Sequence, residues 1–337
     1  MSDAVRWGVL GCASIALRKV LPAMLRSTRC DVVAIASRDF GRAEAAAREL
    51  GISRPYGSYE ELLADADVEA VYIPLPNHLH APWTLRAAAA GKHVLCEKPL
   101  ALGVTEATEM IDGCREAGVL LMEAFMYRLH PQWRRVHALI ADGAIGELET
   151  IQAFFSYRNL DPHNIRNVPE YGGGALMDIG CYPINVARWL FGEEPAEVAA
   201  TVRYDPSFGT DVLTSAVLDF GGRHATFTCS TQIEPDQRVH LIGTEGRLLV
   251  EIPFNIPPDR ATRLVIAAGG DPPVSPGLEE IVIPAADQYE IQADAFSAAI
   301  RQGAPLPIPT EDALGNLAVI ERIFGPRGEI GAMGDRV

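Results

Sequence analysis

The first 125 residues alternate between two kinds of pattern, and this alternation constrains the fold more than any other feature of the chain. Short apolar runs recur as "RWGVLG", "DVVAIAS", "VEAVYIPLP", "KHVLCEKP" and "VLLMEAF". Segments with helical character lie between them: "SIALRKVLPAML", "GRAEAAAREL", "YGSYEELLAD", "HAPWTLRAAAAG" and "TEATEMIDGCREAG". In the first of these Ala16, Val20, Ala23 and Met24 can share one face. Strands that alternate with helices predict an α/β unit, a doubly wound parallel sheet covered by helices on both faces.

The pattern changes after about residue 145. Long β-rich segments take over: "LETIQAFFSYR", "AEVAATVRY", "DVLTSAVLDF", "HATFTCSTQI" and "RVHLIGTEGRLLVE". Gly, Asp and Pro separate them, which predicts a large, mostly antiparallel sheet. The helix-like "ALMDIGCYPINVARWLF" interrupts it, so the second half reads as an α+β domain. A chain of 337 residues has the length of two domains. The boundary is expected near residue 124, giving domains 1–124 and 125–337. A late helix, "YEIQADAFSAAIRQG", is expected to pack back across the interface.

The stretch "LGCASIALRK" sits where a Rossmann sheet places its phosphate-binding turn. The pattern there is G-x-G-x-x-G. Gly11, Ala13 and Ala16 fill its three places. The first glycine permits the tight turn, and alanine is an accepted variant at the third place. Ala13 adds one methyl where the backbone approaches the pyrophosphate. Ser14 can compensate with a hydroxyl, and the helix start offers N–H groups. Gly11, Cys12, Ala13, Ser14 and Ile15 are therefore the candidate dinucleotide turn, although a plain βα turn fits the same residues. NAD-specific sites place an acid at the end of the second strand. Here that strand ends in Ser37 and Arg38, a hydroxyl and a guanidinium suited to a 2′-phosphate. The expected cofactor is NADPH or NADP+. Asp39 complicates this if its carboxylate faces the ribose.

Charge narrows the partners. The net charge of −15 argues against a nucleic-acid polymer or an anionic membrane. A phosphorylated small molecule stays compatible, held by a local Arg cluster. The cysteines at 12, 30, 96, 114, 181 and 229 form no C-x-x-C pair and follow no secretory signal. Reduced thiols and a cytoplasmic location are expected. No apolar run approaches the length of a membrane span.

Two further stretches carry a resemblance. "CEKPLAL" places Glu97, Lys98 and Pro99 at a strand end, and "GGGALMDIGCYPIN" spans residues 172–185. Together with "MEAFMYRLHPQ" they strongly resemble the Gfo/Idh/MocA oxidoreductases over nearly the whole chain. Many members end the catalytic helix in Asp-x-x-x-His. This chain has Asp178 and Tyr182. The tyrosine looks like the branch with glucose–fructose oxidoreductase, dimeric dihydrodiol dehydrogenase and actinomycete ketoreductases acting at C-3 of nucleotide-linked deoxysugars. The Ala- and Arg-rich composition and "FSYRNLDPHNIRN" lean towards the last group.

The resemblance implies NADPH-dependent reduction of a keto group of a dTDP-linked keto-deoxysugar. An NADP-dependent aldose or trans-dihydrodiol dehydrogenase is the alternative. A non-catalytic NADP-binding sensor is a third reading, opposed by Lys98, Asp178 and Tyr182 together. Lys98 suits the proton donor, since an ammonium both gives a proton and stabilises an alkoxide. Glu97, its neighbour, points to the opposite face of the strand, as a structural partner within the cofactor pocket. Asp178 and Tyr182 stand at i, i+4 and can share a helix face, although Tyr182 also suits a buried core tyrosine.

Leu75, Pro76 and Asn77 lie at the carboxyl edge of the sheet, where such folds bind ligands. The resemblance puts them against the nicotinamide ribose, with His80 nearby. His78 and His80 lack a third ligand, so no metal site is expected. Arg128 is a candidate anchor for a cofactor or substrate phosphate, and His130 a helix-cap or loop residue. Tyr157, Arg158, His163 and Arg166 are candidate substrate residues, the last three for a nucleotide diphosphate. Those three suit surface charges equally. A homo-oligomer, tetramer or dimer, is expected from the second domain's sheet, whose outer face needs cover.

Overall fold

In a computed structural model of the chain, residues 3–268 and 277–325 are described. They form two compact units: 3–136 with 253–263 and 282–313, and 137–252 with 264–268, 277–281 and 314–325.

The first unit is built on β1 (Val5–Leu10), β2 (Cys30–Ala36), β3 (Arg54–Tyr56), β4 (Ala70–Ile73), β5 (His93–Cys96) and β6 (Leu121–Glu123). Their order is β3-β2-β1-β4-β5-β6, and the pairings are parallel. The order reverses between β1 and β4, so ligands are expected at the carboxyl ends of these strands. Burial on both faces explains the sequence: all four side chains of β4, Ala-Val-Tyr-Ile, are buried. The helices are α1 (Leu21–Arg26), α2 (Phe40–Leu50), α3 (Tyr59–Leu63), α4 (His80–Ala89) and α5 (Val104–Glu116), and α6 (Pro131–Ala141) follows.

β3 was not expected. The segment "YGSYEELLAD" reads as one helix, but Ser58 caps α3 by accepting the Glu61 N–H at 3.2 Å. The helix therefore starts at Tyr59, and Arg54–Tyr56 pairs beside β2.

The second unit holds β7 (Leu148–Arg158), β8 (Glu197–Tyr204), β9 (Asp211–Phe220), β10 (Arg223–Ser230), β11 (Gln232–Gly243), β12 (Gly246–Val250), β13 (Thr262–Ala268) and β14 (Leu278–Ile283), ordered β14-β13-β12-β11-β7-β10-β9-β8. The pairing of β7 with β10 is parallel, whereas β8 with β9, β9 with β10, β7 with β11, β11 with β12 and β12 with β13 pair antiparallel. "RVHLIGTEGRLLVE" divides at Thr244–Glu245 into the hairpin of β11 and β12. β13 and β14 extend the sheet beyond the strands expected from sequence. Ala216, Leu218 and Phe220 of β9 and Ala225, Phe227 and Cys229 of β10 are buried, as their alternation predicts. A π-turn, Leu176–Gly180, runs into α7 (Cys181–Phe191).

The late helix α8 (Gln288–Gln302) belongs to the first unit, and α9 (Asp312–Phe324) ends the described chain. On α8, Phe296 packs on Trp7 at 5.7 Å between ring centroids, and Ser297 accepts the Trp7 indole N–H at 3.3 Å. Arg301 pairs with Glu69.

Candidate active site

In the first unit, β1 ends at Leu10 and the chain turns at Gly11, whose φ is +117°. Its N–H donates to the Ala36 carbonyl at 2.9 Å. A Cβ there would lie 2.9 Å from Leu75 Cδ2, so both the conformation and the space require glycine. The next helix opens as a π-turn, Ala16–Val20, and continues as α1. Its first N–H groups have no intrahelical acceptor and suit a phosphate. Ala16 is fully buried, which fits the packing role of the third motif place.

Asp39 is the N-cap of α2. Its carboxylate caps α2 by accepting the Arg42 N–H at 3.3 Å. Ser37 is buried, and its hydroxyl accepts the Asp39 N–H at 3.2 Å. The Tyr59 phenol is pushed up by burial and drawn back by Arg38 and Arg42, so both guanidinium groups act beside it. Arg42 also donates to the Cys12 carbonyl at 3.3 Å. The donor set beside the turn is thus one hydroxyl and two guanidinium groups, and the nearby acid is occupied as a helix cap. This set fits a 2′-phosphate. Sequence reasoning missed Arg42. The available signal was its position four residues after Arg38, in a first helical turn where the dipole disfavours a cation.

The Glu97-Lys98-Pro99 turn follows β5, and its Lys98–Pro99 bond is cis. Three side chains grip it. The Tyr72 hydroxyl donates to Glu97 Oε1 at 2.6 Å. The buried Glu123 accepts the Leu100 N–H at 2.7 Å. His80 places its ring nitrogens 2.9 and 2.8 Å from the Pro99 and Leu75 carbonyl oxygens. Burial pushes the His80 imidazole down to about 4, and the Lys98 charge acts in the same direction. The ring is fully enclosed. His80 joins the Leu75 and Pro99 loops, and its full burial leaves no open face for the direct cofactor contact expected of it. Glu97 lies just beyond β5 and turns to Tyr72. Lys98, Pro76 and Asn77 are half-buried.

Arg128 differs from expectation. Its guanidinium donates to Asp312 at 2.8 Å, and this ion pair is largely buried. Position in the chain gave no hint of a partner 184 residues away. The His130 Nδ1 accepts the Gln132 N–H at 3.1 Å, which makes it a residue of the α6 start. Among the described residues, no group of three or more His, Cys, Asp or Glu side chains is placed to hold a metal ion.

In the second unit the glycine-rich stretch lets two segments approach. A Cβ on Gly173 would lie 2.5 Å from the Arg166 carbonyl oxygen. That carbonyl accepts the Gly174 N–H at 2.8 Å. The Arg166 guanidinium meets Asp178 Oδ2 at 2.8 Å, and the Tyr157 hydroxyl donates to the same oxygen at 2.6 Å. The Asp178 charge raises the Arg166 guanidinium, and the Tyr182 phenol adds to that rise. Burial, then Asp178, pushes the Tyr157 phenol far above its ordinary value. Arg166, Asp178, Tyr157 and Tyr182 thus form one cluster. The Tyr182 ring packs on Phe155 at 5.6 Å. Arg166 is committed to Asp178, which differs from its expected role on a diphosphate. Arg158 and His163 are exposed.

Residues 5–125 match an oxidoreductase family with an NAD-binding Rossmann fold, and residues 133–249 match the GFO/IDH/MocA C-terminal domain. The chain is 52% identical to an uncharacterized oxidoreductase of Rhizobium meliloti, covering 95% of this chain and 96% of that one. It is 40% identical to D-xylose 1-dehydrogenase (NADP(+)) 2 of Haloferax volcanii, with coverage of 94% and 96%. A 3-ketoreductase from Actinomadura kijaniata, solved with NADP and TDP-benzene, superposes with a TM-score of 0.89 at 35% identity, covering 95% and 97%. With both halves of the chain matched and full-length relatives above 30% identity, this protein belongs to the Gfo/Idh/MocA oxidoreductases.

Proposed function

We propose that the protein reduces a keto group, at C-3 of a dTDP-linked keto-deoxysugar, with NADPH in the cytoplasm. The observation that carries the reading is the donor set of Ser37, Arg38 and Arg42, with Asp39 occupied as a cap. It suits the phosphate that distinguishes NADPH. The likeness to a 3-ketoreductase solved with NADP and TDP-benzene supports the substrate class. All six cysteines are buried free thiols, which suits a reducing compartment.

NADPH, when bound, supplies the hydride. The chain supplies the rest. Lys98 gives the proton to the ketone oxygen and stabilises the charge that grows there. Tyr182 hydrogen-bonds that oxygen. Asp178, held by Arg166 and Tyr157, orients a sugar hydroxyl or Lys98. Arg158 and His163 remain as exposed contacts for the nucleotide diphosphate.

A screen following NADPH absorbance tests this. Turnover of a dTDP-linked 3-keto sugar well above the free sugar is expected. Equal turnover of both would remove the nucleotide from the reading. The D-xylose dehydrogenase relative favours a second reading, aldose oxidation. Activity confined to D-xylose with NADP+ would establish it, and activity confined to a trans-dihydrodiol would establish the other dehydrogenase reading.

We also propose a homo-oligomer, tetramer or dimer, formed through the second unit's sheet. Its outward residues include exposed Ser215 and Val217 and half-buried Thr226, and a second subunit's sheet can cover them. Light scattering at micromolar concentration is expected to give a multiple of the monomer mass. A monomer mass there would refute this.

A further inference from the structure

Asp211 opens β9 and takes no part in the reaction proposed above. Its Oδ2 accepts the Leu176 N–H at 2.7 Å and the Thr214 hydroxyl at 3.1 Å. The main-chain N–H groups of Ala175 and of Asp211 itself add to this set. The residue is 2% exposed. Gly174, at φ +119°, leads into the helix, and a Cβ there would collide with Asp211 Oδ1. The turn Leu176–Gly180 has no cap of its own, since Ala175 is helical and offers no side-chain hydrogen bond. A residue from a distant strand thus takes the place that a local Ser or Asp usually fills. The capped turn carries Asp178 and continues directly into α7, which carries Tyr182.

We propose that Asp211 is a positioning residue: by tying the start of this helix to β9, it sets where Asp178 and Tyr182 stand. The proposal rests on the reading of those two residues as part of the active site.

The chemistry of the cap makes it sensitive to pH. Burial pushes the Asp211 carboxyl up to about 6, against the pull of the Leu176 N–H and the Thr214 hydroxyl. Tyr157 from β7, Tyr204 from β8 and Cys229 from β10 face it; burial is the main cause that pushes each of them upward, and the Asp211 charge adds to it. On the helix itself, Asp178 is paired with Arg166. At pH 7 Asp211 is ionised and meets the positive end of the helix. Below about pH 6 it takes up a proton, and the cap loses its charge assistance. The folded chain holds this proton more tightly than the unfolded chain. The group therefore favours the fold in acid, and the advantage is lost as pH rises through about 6. At neutral pH the buried charge costs stability, so Asp211→Asn is not expected to lower the melting temperature.

The test uses Asp211→Asn and Thr214→Val in the full chain. Amide hydrogen exchange of residues 175–180 and the melting temperature are measured. So are kcat and KM against pH for NADPH-dependent reduction of a dTDP-linked 3-keto sugar. Asp211→Asn is expected to speed that exchange and lower kcat by about tenfold each, the low end for losing a charge-assisted hydrogen bond. KM should change little, and the acid limb of kcat should disappear. Thr214→Val should move the limb to higher pH, because its hydroxyl favours the ionised carboxylate. Wild-type exchange and wild-type kcat in Asp211→Asn would overturn the proposal, as would an unmoved acid limb in both variants. If the wild-type chain reduces no such sugar, the substrate reading fails alone, and the exchange measurement still decides the cap.

Discussion

Lys98→Met is expected to lower turnover by about 100-fold or more, the low end for removing a general acid. Tyr182→Phe is expected to keep substantial activity. The reason is charge. An ammonium stabilises the growing alkoxide throughout proton transfer, whereas a phenol with a reference pKa of about 10 must first be made acidic. Tyr182→Phe removes one hydrogen bond and no charge. The opposite ranking, a nearly dead phenylalanine variant and an active methionine variant, would move the acid role to Tyr182. NADPH affinity must be measured for both variants, because an empty cofactor site also lowers turnover. The three grips on the lysine turn come from the side chains of Tyr72, Glu123 and His80. Lys98→Met is thus expected to leave the turn in place.

Arg38→Ala is expected to weaken NADPH binding by about tenfold or more, the scale of one lost charge-assisted hydrogen bond, and to leave NADH nearly unchanged. Arg42→Ala is expected to weaken both cofactors. Its guanidinium braces the Cys12 carbonyl inside the proposed phosphate turn and, with Arg38, acts beside Tyr59. Titration of each variant with both cofactors separates these roles. Equal losses for NADPH and NADH in Arg38→Ala would show that Arg38 does not read the phosphate.

Local chemistry made much of the fold legible. The apolar runs that became β1, β2, β4, β5 and β6 announce a parallel sheet because each strand is buried on both faces. Gly11 marked the turn because that backbone requires a positive φ. β3 escaped because three residues carry too little periodicity, and Ser58 looked like helix interior until seen as a cap. The site was legible as residue types more than as partnerships. Arg166 looked like a phosphate ligand because an arginine in a loop advertises its charge and not its counter-ion. Asp178 claims it, and Asp312 claims Arg128 in the same way. Asp211 left no trace, because a cap supplied from another strand has no spacing rule. Asp39 was readable in principle, since Asp followed three residues later by the N–H it accepts is an ordinary helix start.

The return of α8 to the first unit governs how this chain can be made. Trp7 lies on the first strand of this sheet to leave the ribosome, yet Ser297, which with Phe296 covers it, is made 290 residues later. Glu69 likewise waits for Arg301. At ribosomal speeds of about 5–20 residues per second, the interval between residues 136 and 302 is on the order of 10 s. Through that time the nascent sheet keeps an apolar flank open to chaperones or to misassociation. A fragment ending at residue 136 would carry the same flank permanently. Adding the α8 segment as a separate peptide is the direct way to close it.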